Sequence, residues 1–140
     1  MDYEKLMQIA HQALNNSYSP YSGIKVGVAL LAKSGKVYTG TNIENQAYSV
    51  TCCAERVALF KAVSEGERGF DMIAICGYKE GALMSICSPC GSCRQALSEF
   101  VDGDFKFVLG NVEKFFIYTL NDILPIAFKS GLRGEDNENV

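Results

Sequence analysis

The sequence predicts a single α/β domain in which helices pack on one mixed sheet. Three observations lead there. Segments with helical spacing of apolar residues take turns along the chain with short, strongly apolar strand-like segments, the pattern of helices covering a sheet. The 140 residues match the size of one domain, about 100–150 residues. No linker, internal repeat or low-complexity stretch divides them.

The elements follow in order. Leu6, Ile9, Ala10, Ala13 and Leu14 form one stripe of a helix running from about Tyr3 to Asn15. Ser19-Pro20-Tyr21-Ser22-Gly23 breaks it. Ile24, Val26, Val28 and Leu30 alternate on one face of a strand, and Ser34-Gly35 turns the chain into a second strand through Val37 and Tyr38. Thr51 to Val63 combines strong helix formers with few polar residues and predicts a helix buried nearly all round, with Thr51 and Glu55 as an offset start signal. Asp71 to Gly77, with Met72 to Cys76 apolar throughout, reads as a buried strand. A second apolar helix opens at Ser88-Pro89-Cys90, since proline is favoured in a first turn, and Cys93, Ala96, Leu97, Phe100 and Val101 form its stripe. Residues 105–109 and 115–120 predict two more strands. Residues 122–128 predict a short helix interrupted by Pro125. The domain spans 1–130, and 131–140 is a polar tail.

Composition narrows the class. Hydrophobic residues make up 48% and charged residues 21% of the chain, which excludes an intrinsically disordered protein. The apolar runs are a few residues long, far short of the roughly 20 needed to span a bilayer. The start, Met1-Asp2-Tyr3-Glu4-Lys5, carries no readable signal peptide, so a soluble, cytoplasmic protein is expected. With a net charge of −3 and 13 basic residues scattered along the chain, neither nucleic acid nor a membrane is expected as a partner.

Six cysteines carry the chemical signal: Cys52, Cys53, Cys76, Cys87, Cys90 and Cys93. Without an export signal, clustered cysteines point to metal binding or catalysis rather than disulfides. Cys53-Ala54-Glu55 opens one helix, and Pro89-Cys90-Gly91-Ser92-Cys93 opens another. Helix N-termini favour thiolate over thiol. Two such ends meeting over a sheet bring three thiolates to one zinc, whose fourth position stays open for water. Glu55, two residues after Cys53, faces that position without binding the metal. Two other readings stay open on spacing alone. Cys87-x-x-Cys90-x-x-Cys93 matches part of an iron–sulfur ligand run, and a fourth cysteine closes a purely structural zinc site. Cys52 and Cys76 read as core thiols, and Cys87 as the end of a strand.

Cys-Ala-Glu followed about 35 residues later by Pro-Cys-x-x-Cys resembles the zinc-dependent cytidine deaminase family. The resemblance runs from about residue 3 to 128. It takes in Ser19-Pro20-Tyr21-Ser22, Val26-Gly27, Asn42-Ile43-Glu44-Asn45, Ala47-Tyr48, Arg56, Lys61-Ala62-Val63-Ser64-Glu65-Gly66, Cys93-Arg94-Gln95 and Leu124-Pro125. It implies a three-layer α/β/α domain with a mixed five-stranded sheet and one zinc per subunit. His11 is the single histidine and stands far in sequence from the cysteines, so Cys53, Cys90 and Cys93 are the expected ligands. Three thiolate charges against the two of zinc leave one negative charge over. Arg56 and Arg94 each sit one helical turn past a ligand and are expected to hydrogen-bond the sulfurs and draw that charge off.

The resemblance further implies hydrolytic deamination of cytidine or deoxycytidine to uridine or deoxyuridine, with release of ammonia, in pyrimidine salvage. Glu55 is then the catalytic proton carrier. Asn42 and Glu44 hold the ribose hydroxyls, the Ala54 amide helps to read the base, Ile24 packs on it and Tyr48 lines the pocket. Phe128 reaches into a neighbouring subunit's site, in a homotetramer with active sites at subunit interfaces. The chain departs from the family's usual pattern at Ile24, commonly phenylalanine, and at Gln46, usually a small residue. Those departures keep open a deaminase of another aminopyrimidine nucleoside or of a nucleoside antibiotic. A zinc-stabilised module without catalysis is the remaining alternative.

Overall fold

Alternation along the inner strands decides the architecture. In β1 (Lys25–Ala32), Val28, Leu30 and Ala32 point to one face while Ala29 and Leu31 point to the other, and all five are buried. β3 (Phe70–Lys79) repeats this, with Ile73 and Ile75 on one face and Met72, Ala74 and Cys76 on the other. Strands buried on both faces need a helical layer on each side. The computed structural model describes residues 1–133, so the expected polar tail at 131–140 falls outside the described residues from 134 onward.

The strands run in the order β2 (Val37–Thr41), β1, β3, β5 (Lys106–Gly110), β6 (Phe115–Thr119). A two-residue β4 (Ala82–Leu83) pairs with the end of β3, making six strands among the described residues rather than five. The β3–β5 pair is parallel and the others are antiparallel, so the sheet is mixed. A parallel pair needs a long crossover, and the crossover between β3 and β5 carries helix α3 (Gly91–Ser98).

Helix α1 (Tyr3–Ala13) covers one face through Leu6, Met7 and Ala10, and Asp2 caps it by accepting the Lys5 amide at 2.8 Å. Helices α2 (Ala54–Ser64) and α3 cover the other face through Ala54, Ala58, Leu59, Ala62 and Leu97. The expectation that α2 is buried nearly all round does not hold. Only the sheet side is sealed, and Phe60 stays 51% exposed, because among the described residues none covers it on the outer side of this helix. Nor does Thr51 start the helix. Its hydroxyl accepts the Asn45 amide, and Cys53 is the N-cap.

The C-terminal helix is also shorter than expected. Residues 122–128 were to form it, but α4 spans Leu120–Ile123, opened by a reciprocal Thr119–Asp122 capping box. Pro125 lacks an amide hydrogen and disfavours helical backbone at the residue before it, and Leu124 takes φ −148°, ψ 68°. No helix among the described residues is long and apolar enough to cross a membrane.

Helix α2 approaches the sheet over Gly40. A Cβ there would meet the Ala54 carbonyl oxygen, and the Ala58 amide nitrogen at 2.7 Å. Both obstacles are backbone and cannot swing away. Gly40→Ala is therefore expected to destabilise the fold by about 3 kcal/mol or more, read as a lowered midpoint in thermal or urea denaturation.

Candidate active site

The two helices on the same face of the sheet, α2 and α3, both begin at a cysteine. Cys53 is the N-cap of α2 (φ −70°, ψ 151°) and Cys90 the N-cap of α3 (φ −68°, ψ 165°). Neither side chain makes a capping hydrogen bond to the backbone of its own helix, so both sulfurs are free to turn toward each other. Cys93, one turn into α3 and fully buried, supplies the third sulfur. Pro89 stands just before the cap rather than inside the first turn, and is itself fully buried.

The three sulfurs lie within 4.8 Å of one another, with Cys53–Cys90 at 3.8 Å and Cys90–Cys93 at 3.5 Å. Tetrahedral zinc with Zn–S bonds of about 2.3 Å needs sulfurs about 3.8 Å apart. The donor set fits zinc. Among the described residues this is the cluster able to hold a metal, and it contains no fourth cysteine. Cys87 packs against Gly77 instead, in irregular backbone and not at a strand end, and burial pushes its thiol up to about 12. Cys76 lies under α1 on the opposite face, 3.9 Å from His11, and burial raises it to about 11. Cys52 is raised by burial as well. Cys53 is the contrast. A hydrogen bond from Cys93, helped by Arg56, holds its thiol down to about 5, while that same bond raises Cys93. Burial thus keeps the protons on Cys52, Cys76 and Cys87, while the cluster favours the thiolate at Cys53.

The Glu55 carboxyl is buried beside these sulfurs, with 5% of the residue exposed. Burial raises it to about 7, and negative charge on Cys53 pushes the same way. A carboxyl poised there takes up or releases a proton near neutral pH.

The two arginines divide. Arg56 donates to Cys53 Sγ at 3.4 Å, as expected. Arg94 does not follow the expectation. Its guanidinium donates to the Pro89 carbonyl at 2.8 Å, the Ile123 carbonyl at 2.6 Å and the Ser88 hydroxyl at 2.8 Å. From its place on α3 it reaches back along the cysteine loop and across to α4, pinning the backbone just before Cys90. Replacing Arg94 by alanine is expected to lower zinc affinity about tenfold through a looser Pro89–Cys90 segment, measured by competition with a chromogenic chelator. Arg94→Lys restores little, because an ammonium cannot span three acceptors in a plane.

A second group of polar residues assembles on the strand ends. Asn42 is buried, and its Oδ1 accepts the Val26 amide at 2.9 Å while its Nδ2 donates to the Ile24 carbonyl at 2.8 Å. Glu44 accepts the Tyr21 and Ser22 amides at 3.0 and 3.1 Å and the Ser22 hydroxyl at 2.5 Å. The Ser22 hydroxyl in particular holds its carboxyl below the usual carboxylate range. This segment is stitched to the cysteines: Ile43 and Cys52 exchange both backbone hydrogen bonds, at 3.0 and 2.9 Å. On its other side Glu44 donates its amide to the Tyr18 carbonyl. Ile24 is half-buried next to Asn42, and Ala54 is fully buried at the first position of α2. Tyr48 stands 77% exposed against the edge of Tyr21, and Phe128 is 72% exposed, its carbonyl held by Gln95. Ser17 and Ser22, which clamp Asn42 and Glu44, escaped the sequence reading because nothing in the spacing links them to residues some 20 positions away.

Three thiols converging where two helices begin, with a carboxyl beside them, is the layout of a zinc hydrolase. The family profile described as "Cytidine and deoxycytidylate deaminase zinc-binding region" matches residues 1–109, and the chain belongs to the cytidine deaminase family. It is 46% identical to the cytidine deaminase of Sporosarcina psychrophila over 91% of this chain and 92% of that one. It is 44% identical to the cytidine deaminase of Halalkalibacterium halodurans, over 91% and 95%. The crystal structure of cytidine deaminase from Burkholderia pseudomallei superposes with a TM-score of 0.82 at 39% identity, covering 91% of this chain and all of that one. A blasticidin-S deaminase from Bacillus cereus is 27% identical. Family membership makes this chain an enzyme that hydrolyses a C–N bond.

Proposed function

We propose that this enzyme deaminates cytidine and deoxycytidine to uridine and deoxyuridine in pyrimidine salvage, as a cytoplasmic homotetramer carrying one zinc per subunit. The observation that carries the reading is the triad of sulfurs beside the buried Glu55 carboxyl. Cys53, Cys90 and Cys93 would hold the zinc, which when bound supplies the Lewis acidity that makes water nucleophilic at neutral pH.

The remaining work falls to the protein's own groups. Glu55 takes the proton from the attacking water and passes it to the ring nitrogen beside the carbon that bears the amine. It then takes the second proton from the hydroxyl now bonded to that carbon and delivers it to the amine, which leaves as ammonia while the carbonyl forms. Asn42 and Glu44 hold the sugar hydroxyls, each already fixed by backbone partners. Ala54, at the first position of α2 where amide hydrogens have no partner within the helix, offers its amide to the base. Ile24 supplies apolar contact to the base, and Tyr48 lines the mouth. The exposure of Phe128, Ile126 and Tyr48 in the single chain supports a neighbouring subunit packing on them. The greater similarity to cytidine deaminases than to the blasticidin-S enzyme weighs against an antibiotic as substrate, although Ile24 and Gln46 remain the positions to watch.

Ammonia release from cytidine, deoxycytidine, cytosine, CMP and adenosine tests the assignment. Turnover of the two nucleosides is expected. Activity on CMP alone would overturn it.

A further inference from the structure

Asn42 has four hydrogen-bonding positions, and the structure accounts for three of them. Its amide orientation is fixed by two backbone groups of opposite kind, since the Val26 amide needs an acceptor and the Ile24 carbonyl needs a donor. The second lone pair of Oδ1 goes to a side chain 25 residues earlier: the Ser17 hydroxyl donates to it at 2.5 Å. Ser17 has one proton to give. Its other neighbour, the Ser19 hydroxyl, lies at the longer distance of 3.3 Å. What remains of Asn42 is a single N–H on Nδ2.

We infer that Ser17 is a positioning residue for sugar recognition, which fills the last acceptor position of Asn42 and leaves it able to meet a sugar hydroxyl only as a donor. This rests on the proposed role of Asn42 at the sugar. Glu44 is the complementary partner, because an ionised carboxylate offers acceptors only. A hydroxyl both accepts and donates, so it satisfies the pair at once, whereas a sugar lacking it leaves a buried N–H without a partner. The serine sits between the end of α1 and Pro20, and the fold brings it to Asn42 through the Tyr18–Ile43 backbone bridge.

Removing the Ser17 hydroxyl frees an Oδ1 lone pair in a largely buried place. Asn42 then loses one of the three bonds that hold it and offers an acceptor where the site is built to offer a donor. Ser17→Ala is expected to raise KM for cytidine about tenfold while kcat stays within about twofold. With 2′,3′-dideoxycytidine, which has no hydroxyl for Asn42 to meet, the same substitution is expected to leave kcat/KM unchanged. An equal loss on both nucleosides for Ser17→Ala, or no loss on cytidine, would overturn the inference. The wild-type rate on cytidine reports on the proposed reaction separately: its absence removes that reaction, whereas normal wild-type turnover with an unselective Ser17→Ala removes only the role of Ser17.

Discussion

Replacing Glu55 by glutamine is expected to lower kcat on cytidine by about 10²–10⁴-fold, the usual range for losing a general acid–base group, with zinc content unchanged. Glutamine has the same shape and fills the same buried space at the start of α2. It cannot accept a proton or give one back. The carboxyl is not part of the sulfur cluster, so metal binding has no reason to change. Atomic absorption on the purified variant and a steady-state assay check both halves. A variant that turns over within about tenfold of wild type would show that the proton travels by another route.

The second large effect is expected from Cys93→Ala. Cys93 is the most enclosed of the three sulfurs, with no exposed surface, and it links Cys53 and Cys90 into one cluster. Structural zinc sites bind with about 10–16 kcal/mol in total, so deleting one thiolate is expected to weaken binding on the order of 10³-fold. Activity is expected to fall at least as far as in Glu55→Gln. The melting temperature is expected to drop too, because an ion bound only by the folded state stabilises it. A variant that retained full zinc after dialysis against a chelator would remove Cys93 from the ligand set.

Much of this was legible in the sequence, for physical reasons that differ by element. The double-sided burial of β3 follows from its unbroken apolar run Met72–Cys76, and α1 from a clean stripe over Leu6 and Ala10, whereas β1 read as a strand with one apolar face and proves buried on both. The cysteines could be placed because a helix N-terminus is both a backbone feature and an electrostatic one, so the motif and the local structure point to the same spot. What spacing could not supply was direction. Arg94 sits one turn past a ligand just as Arg56 does, yet its guanidinium is drawn to two carbonyls and a serine hydroxyl. The exposed side of α2 was equally hidden, since Phe60 looks like core in a string of letters and becomes surface only when the neighbouring layer is absent. Ser17 needed the third dimension altogether.

The two-way bridge between Ile43 and Cys52 ties the strip that carries Asn42 and Glu44 to the residue next to Cys53. Neither strip can slide without dragging the other. Drift in substrate preference along such a lineage would then proceed through exchange of side chains such as Ile24 and Gln46, while insertions gather at hairpin tips like Ser34-Gly35, where they leave the spacing between sugar and ion untouched.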